Sequence, residues 1–188
     1  MALTGPQQAI VKAYIEADPT LNGQPSDGDG LGFIRDHLNS MSSPVALAWN
    51  ANTPVDDLND TIDRSKFTPT DAADTTTVWT NRCLAAQTKM MSIDGLLFGR
   101  DSINAEKATI RASIRDALIQ LPTGAGGAFA AAAGASATTA LTACTKNTTV
   151  IQRLLLAVAS VTTGSVTAGI IGYVGPIDNN DVDAARRS

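Results

Sequence analysis

The chain has a single histidine and two cysteines in 188 residues, and both scarcities remove chemistry. One imidazole, His37, excludes a metal centre built on several histidines. Cys83 and Cys144 lie far apart and form no Cys-x-x-Cys pair, so neither a thiol-redox motif nor a disulfide framework is available, and a reducing compartment is expected. Aromatic residues make up only 4% of the chain. Cations are also short: 14 Lys and Arg against 18 Asp and Glu give a net charge of −4. General binding to nucleic acid or to an anionic membrane needs clustered Lys and Arg, so neither is expected. No serine sits in a Gly-x-Ser-x-Gly elbow, and neither cysteine has a recognisable nucleophile motif around it. The run Gly124-Ala125-Gly126-Gly127 is not followed by Gly-Lys-Ser/Thr, so it reads as a hinge or interface loop and not a phosphate cradle. Gln7, Gln8 and Lys12 interrupt the first fifteen residues, so no signal peptide is expected.

Small residues fill the space that large ones leave. Thirty alanines and 22 threonines supply much of the composition, which predicts a thin, helix-rich core. Thr4-Gly5-Pro6-Gln7 is a capping-box start for a first helix that ends at Asp18-Pro19. A second helix is expected from Asp27 or Asp29 to Asn39, then a short extended segment Val45–Trp49 and a short helix opened by Thr53-Pro54. Trp79, Cys83, Ala86 and Met90 recur at helical spacing within a long helix from Thr70 or Asp71 to Met91. A connection over 92–102 leads to a helix from Asn104 to Leu121. Ile110, Ile114, Ala117, Leu118 and Leu121 make its apolar face, and Lys107, Arg111 and Arg115 its basic edge. Ala128–Ala143 reads as a weakly specified helix, and Thr148 as the cap of a following helix through Val150, Ile151, Leu154, Leu155 and Val158. Val161–Val174 reads as one or two strands, and Asp178–Arg187 as a polar helix with acids first and arginines last. The expected fold class is therefore mainly α: a helical bundle with extended loops and a small C-terminal β segment. It is expected as one domain over 1–188, with a bundle core at 1–122, an Ala/Thr/Gly-rich helix and β segment at 123–175, and a C-terminal arm at 176–188.

Other candidates have bland readings beside the functional one. Asp27-Gly28-Asp29-Gly30 hints at a calcium loop, but Leu38 stands where an EF-hand needs its bidentate glutamate, so it reads as an acidic turn before a helix. His37, flanked by Asp36, reads as a solvated helix residue. Leu154–Ile177 carries no charge, but its four glycines and Pro176 argue for buried or interfacial strands and not a membrane span.

Several stretches in chain order resemble a family of small virion proteins of tailed phages and prophages. Ala17-Asp18-Pro19-Thr20-Leu21-Asn22, Gln24-Pro25 and Asp27-Gly28 are similar to its opening. Pro44-Val45-Ala46-Leu47-Ala48-Trp49 with Thr53-Pro54-Val55-Asp56-Asp57 resembles its Pro-aliphatic-Trp segment. Ile110-Arg111-Ala112-Ser113-Ile114 resembles its Ile-Arg-Ala helix. Val174-Gly175-Pro176-Ile177 with Asp181-Val182-Asp183-Ala184-Ala185-Arg186 resembles its ending. Ala128–Thr149 departs from the pattern, being Ala and Thr where relatives carry a more charged helix.

By size and helical character the chain is similar to head–tail adaptor (connector, neck) proteins. The resemblance implies a structural virion protein with no enzymatic activity and no cofactor, made in the host bacterial cytoplasm. It implies a homo-oligomeric ring of twelve copies between the portal protein and a tail nozzle or tail tube protein, with no membrane. DNA would pass through the lumen without specific binding. Lys107, Arg111, Arg115, Asp181, Arg186 and Arg187 are the residues expected at the subunit or portal interface. Other phage structural roles (tail terminator, tail tube, head decoration) and a small prophage enzyme are the alternatives.

Overall fold

The computed structural model describes residues 2–67, 77–119 and 134–188. Nine α-helices, one 3₁₀ helix and six strands lie among them. In chain order they are α1 Gly5–Ala17, α2 Pro19–Asn22, α3 Gly28–Asn39, β1 Leu47–Trp49, β2 Thr53–Pro54, α4 Val55–Asn59 and the 3₁₀ helix Arg64–Phe67. Then come α5 Thr77–Leu97, β3 Ser102–Ile103, α6 Ala108–Leu118, α7 Gly134–Ala143, β4 Thr145–Asn147 and α8 Val150–Leu154. β5 Leu156–Thr163, β6 Val166–Ile171 and α9 Asn179–Arg187 complete the chain.

The expected mainly helical bundle is corrected by this architecture. A mixed four-stranded sheet has the order β4-β1-β6-β5, and β2 and β3 pair antiparallel in a second sheet. The fold is an α/β mix. β1 is parallel to β6 with Ala48 opposite Gly169, so the sheet is not confined to a C-terminal segment. Strands of two or three residues carry no readable alternation, and their partners are remote in sequence.

The chain divides into two compact units. One comprises Met1–Ala48, Asn147–Val161 and Ala168–Ser188; the other comprises Trp49–Lys146 and Thr162–Thr167.

In the first unit, acidic side chains start helices by accepting from the orphan amides of the first turn. Asp18 Oδ1 accepts from the Thr20 amide at 2.8 Å, opening α2. Asp27 Oδ1 accepts from Gly30 at 2.9 Å, opening α3. Asp178 Oδ1 accepts from Asp181 at 2.9 Å, opening α9. The Asp27–Gly30 turn is thus a helix cap. Gly30 has no substitute there, because a Cβ would stand 2.2 Å from the Pro25 carbonyl oxygen. Thr149, one residue past the expected Thr148, caps α8 with Gln152 as its reciprocal partner, and α8 stops at Leu154, short of the expected Val158, which lies in β5. Val11 and Ile15 of α1, Ile34 and Leu38 of α3, Ile151 of α8, and Val182 and Ala185 of α9 form one apolar core with Leu21 and Tyr173.

The C-terminal segment 176–188 packs onto this core: Val182 and Ala185 are fully buried and Ile177 nearly so. Asn39 fastens it further, its Nδ2 donating to the Ile177 carbonyl at 3.0 Å and its Oδ1 accepting from the Ile177 amide at 3.1 Å.

In the second unit α6 packs against both α5 and α7. Ala86, Ile93 and Leu97 of α5, Ile114 and Leu118 of α6, and Ala137, Ala140 and Leu141 of α7 are buried. The small residues of α7 supply a close-packing face. α5 runs six residues past its expected end at Met91. Burial of Ile93 and Leu97 continues its apolar stripe, and that outweighs the roughly 1 kcal/mol that Gly95 costs a helix. α6 begins at Ala108 and not Asn104, because Asn104 Oδ1 closes a turn onto the Glu106 amide at 2.9 Å. The side chain of Trp79, the expected helix start at Thr70 or Asp71, Leu121, the glycine run 124–127 and the first part of the Ala-rich segment lie outside the described residues.

Candidate functional site

The six residues expected at an interface fall three to each unit: Lys107, Arg111 and Arg115 in one, Asp181, Arg186 and Arg187 in the other. Lys107 precedes the first residue of α6 and is exposed. Arg115 is half-exposed, and its Nε and Nη2 donate to the neighbouring Asp116 Oδ1 at 2.8 and 2.7 Å.

Arg111 does something else: it is 2% exposed. Its spacing already contains the reason, since Arg111, Ile114 and Leu118 stand at i, i+3 and i+7, on the buried stripe of α6. The guanidinium lies 4.8 Å from the centroid of the Trp49 ring, which is itself fully buried. Its Nη1 donates to the carbonyls of Ala105 and Glu106, both at 2.7 Å, and its Nε donates to Thr163 Oγ1 at 3.0 Å. The cation thus ties the turn before α6 to an indole face and a strand end. Burial pulls the Arg111 pKa below its usual value, and among the described residues none of its hydrogen-bond partners is a carboxylate.

Lys89 was not singled out by sequence pattern, yet it has a comparable task. Its Nζ donates to the Asp116 and Ile119 carbonyls at 2.6 and 2.7 Å, neutralising the C-terminal end of α6. Desolvation lowers its pKa, and the charge of Asp116 opposes that shift.

In the first unit Asp181 is buried and accepts from the Leu3 amide at 3.1 Å and the Asp178 amide at 3.3 Å, so it joins the segment before α1 to α9. Arg186 reaches back to the Gln24 and Pro25 carbonyls at 3.0 and 3.1 Å. Arg187 is the outward one, paired with Asp183 one helical turn away at 2.9 Å. Of the six residues, Lys107, Arg115 and Arg187 present charge to the outside, while Arg111 and Asp181 are internal ties.

His37 is half-buried, with its Nε2 3.1 Å from the Tyr14 hydroxyl and the two rings stacked at 6.1 Å. Cys144 is fully buried; burial pushes its thiol pKa up to about 11, against a hydrogen bond with Thr53 that lowers it. A thiol held in that state is a poor nucleophile at neutral pH.

Among the described residues no cluster of three or more His, Cys, Asp or Glu could hold a metal, and no helix is long and apolar enough to cross a membrane. A groove of about 310 Å³ in the second unit is lined by Val55, Asn59, Arg64, Asp94, Leu97 and Phe98. Its polar lining is the Arg64–Asp94 ion pair at 2.7 Å together with Asn59, while Phe98 is 88% exposed beside it. Ion pairs of this kind, half in solvent, contribute little to stability and serve better to set a register between surfaces.

No family model, no curated protein and no solved structure matches the chain.

Proposed function

We propose that this chain is a structural subunit of a tailed-phage virion, a neck adaptor that forms a ring between the portal and the tail. What supports the assignment is the ordered set of short motifs and the structural positions they occupy. Ala17–Asn22 makes the junction of α1 and α2, where Asp18 is a cap. Pro44–Trp49 leads into and forms β1, an inner strand of the sheet. Ile110–Ile114 carries Arg111, the internal tie of α6. Val174–Arg186 enters and forms α9, whose Asp181 binds the opposite end of the chain. Each resembling motif thus coincides with a joint of the fold. The charged groups at these joints bind the chain's own backbone, while Lys107, Arg115 and Arg187 face outward, the two arginines paired with Asp116 and Asp183. A ring built on a heterologous contact closes by rotation, one surface meeting a different surface on the next copy.

A second role in the same particle, a tail terminator or tail tube subunit, draws on the four-stranded sheet, whose outermost strand β5 is eight residues long. The two roles separate on partner choice. Purified protein imaged by negative stain with and without portal is expected to give twelvefold rings seated on portal. Rings or tubes that ignore portal and cap tails favour the second role. Absence of the chain from intact particles removes both.

A further inference from the structure

We propose that the outward face of α5, from Leu84 through Met91 to Phe98, together with the groove at its C-terminal end, is a docking site for a basic amphipathic helix of a partner protein. The whole site lies in the second unit. Leu84, Met91 and Phe98 follow one another at intervals of seven residues. The Phe98 amide still donates to the Asp94 carbonyl at 2.7 Å, so helical geometry reaches that far and the three side chains stand in line. They are 56%, 71% and 88% exposed. Gln87, Thr88, Ser92 and Gly95, the exposed residues between them, are uncharged. A row of large apolar side chains about 21 Å long, left in water, has burial to gain from a partner.

Shape and charge name the occupant. A straight row of about four helical turns suits a rod, and a helix laid along it meets each side chain with its own apolar stripe. At its C-terminal end the row opens into the groove, whose floor is the buried Val55 and Leu97 and whose exposed wall is Phe98. The segments that build that end, 55–64 and 94–101, carry six aspartates and two arginines, a formal charge of −4, as large as the net charge of the whole chain. Asp56, Asp57, Asp60 and Asp101 are exposed, and among the described residues none of the four is in an ion pair. Arg64 is already matched by Asp94 at 2.7 Å, which leaves Arg100 against those four carboxylates.

Folding accounts for only part of this charge. Asp56 and Asp57 stand in the first turn of α4, where the helix dipole favours them. Asp60 is the C-cap of the same helix, where the dipole opposes a carboxylate, and it lies one turn from Asp56, a like-charge pair that costs the helix. A cationic partner relieves both, while the same field repels nucleic acid and an anionic lipid surface. The apolar row thus anchors the incoming helix, and the aspartates orient it with its basic residues beside the groove. This recognition is independent of the neck assignment.

Fluorescence anisotropy of the full chain with two labelled synthetic helices is the test. One carries leucine along one face and lysine along the other; its twin has glutamate for every lysine. The lysine helix is expected to bind about tenfold or more tighter than its twin, and rising salt should weaken it. Phe98→Ser removes an anchor without changing charge, at a side chain too exposed for folding to need, and should cost the lysine helix about tenfold. Should that variant misfold, Met91→Ser probes the same row. Asp56→Asn combined with Asp60→Asn should weaken binding about threefold and flatten its salt dependence. A lysine helix that does not bind, equal binding of the twins, or binding indifferent to the serine variants, as in mere adsorption to an acidic chain, overturns the proposal. Self-association of the chain that depends on Phe98 while the lysine helix stays unbound assigns the row to a second copy and overturns it as well.

Discussion

Arg111 shows how one residue can look like surface charge and act as core. A guanidinium beside a basic neighbour one turn away on each side, Lys107 and Arg115, reads as an outward edge. The same residue shares a face with Ile114 and Leu118, and the fold resolves the conflict by burying it against Trp49 and two carbonyls. Arg111→Ala strips the Ala105 and Glu106 carbonyls of their charged donor and removes the contact with the indole. A loss of about 2–4 kcal/mol in urea unfolding is expected, with Arg111→Lys recovering only part.

Cys144 supplies a pH test. Its folded pKa of about 11 lies above the ordinary 9.0, so its contribution to stability is complete below about pH 9 and is lost as pH rises toward 11. Unfolding measured across that window should show wild type losing more stability than Cys144→Ala. A thiol reagent at pH 8 should leave Cys144 unmodified until the chain is unfolded.

At the scale of elements, boundaries written in caps and prolines were readable, while the end of α5 and the start of α6 were not. Asp27 and Asp178 each announce a first turn by the short reach of a carboxylate to an amide three residues on. Asp18, read only as the end of α1, also caps the unexpected short helix α2. The end of α5 depended on whether Ile93 and Leu97 would find a core, which no local rule states. α9 makes the same point in reverse. Its polar, terminal composition reads as an appendage, yet two small apolar residues, Val182 and Ala185, suffice to seat it on α1 and α3. Truncation at residue 175 should therefore expose the first unit's core and abolish its cooperative unfolding, seen as lost amide protection in α1 and α3. Val182→Ala should cost about 2 kcal/mol. A truncated chain with intact protection in those helices would show that α9 is dispensable.

For the whole molecule, remote pairings decide the character of the fold. β1 joins β6 with Ala48 opposite Gly169, and Leu3 meets Asp181. Closing such loops costs entropy before any contact repays it, so folding should be slower than for a bundle of local helix hairpins. Stopped-flow refolding followed by far-UV circular dichroism is expected in the millisecond-to-second range typical of sheet-containing domains. A microsecond phase that carried the full amplitude would contradict the paired sheet.

Local chemistry written into the sequence determined most of the longer helices, several of their caps, the strand β6 and the scarcity of groups for covalent chemistry. Those features depend on neighbours within about four residues, where hydrogen-bond reach and helical period act directly. Only the tertiary structure decided that the fold is an α/β mix, that Arg111 and α9 turn inward, and that β1 runs parallel to β6. Each of these depends on which distant segment supplies the partner, and burial energy gained over the whole chain, not local preference, selects among them.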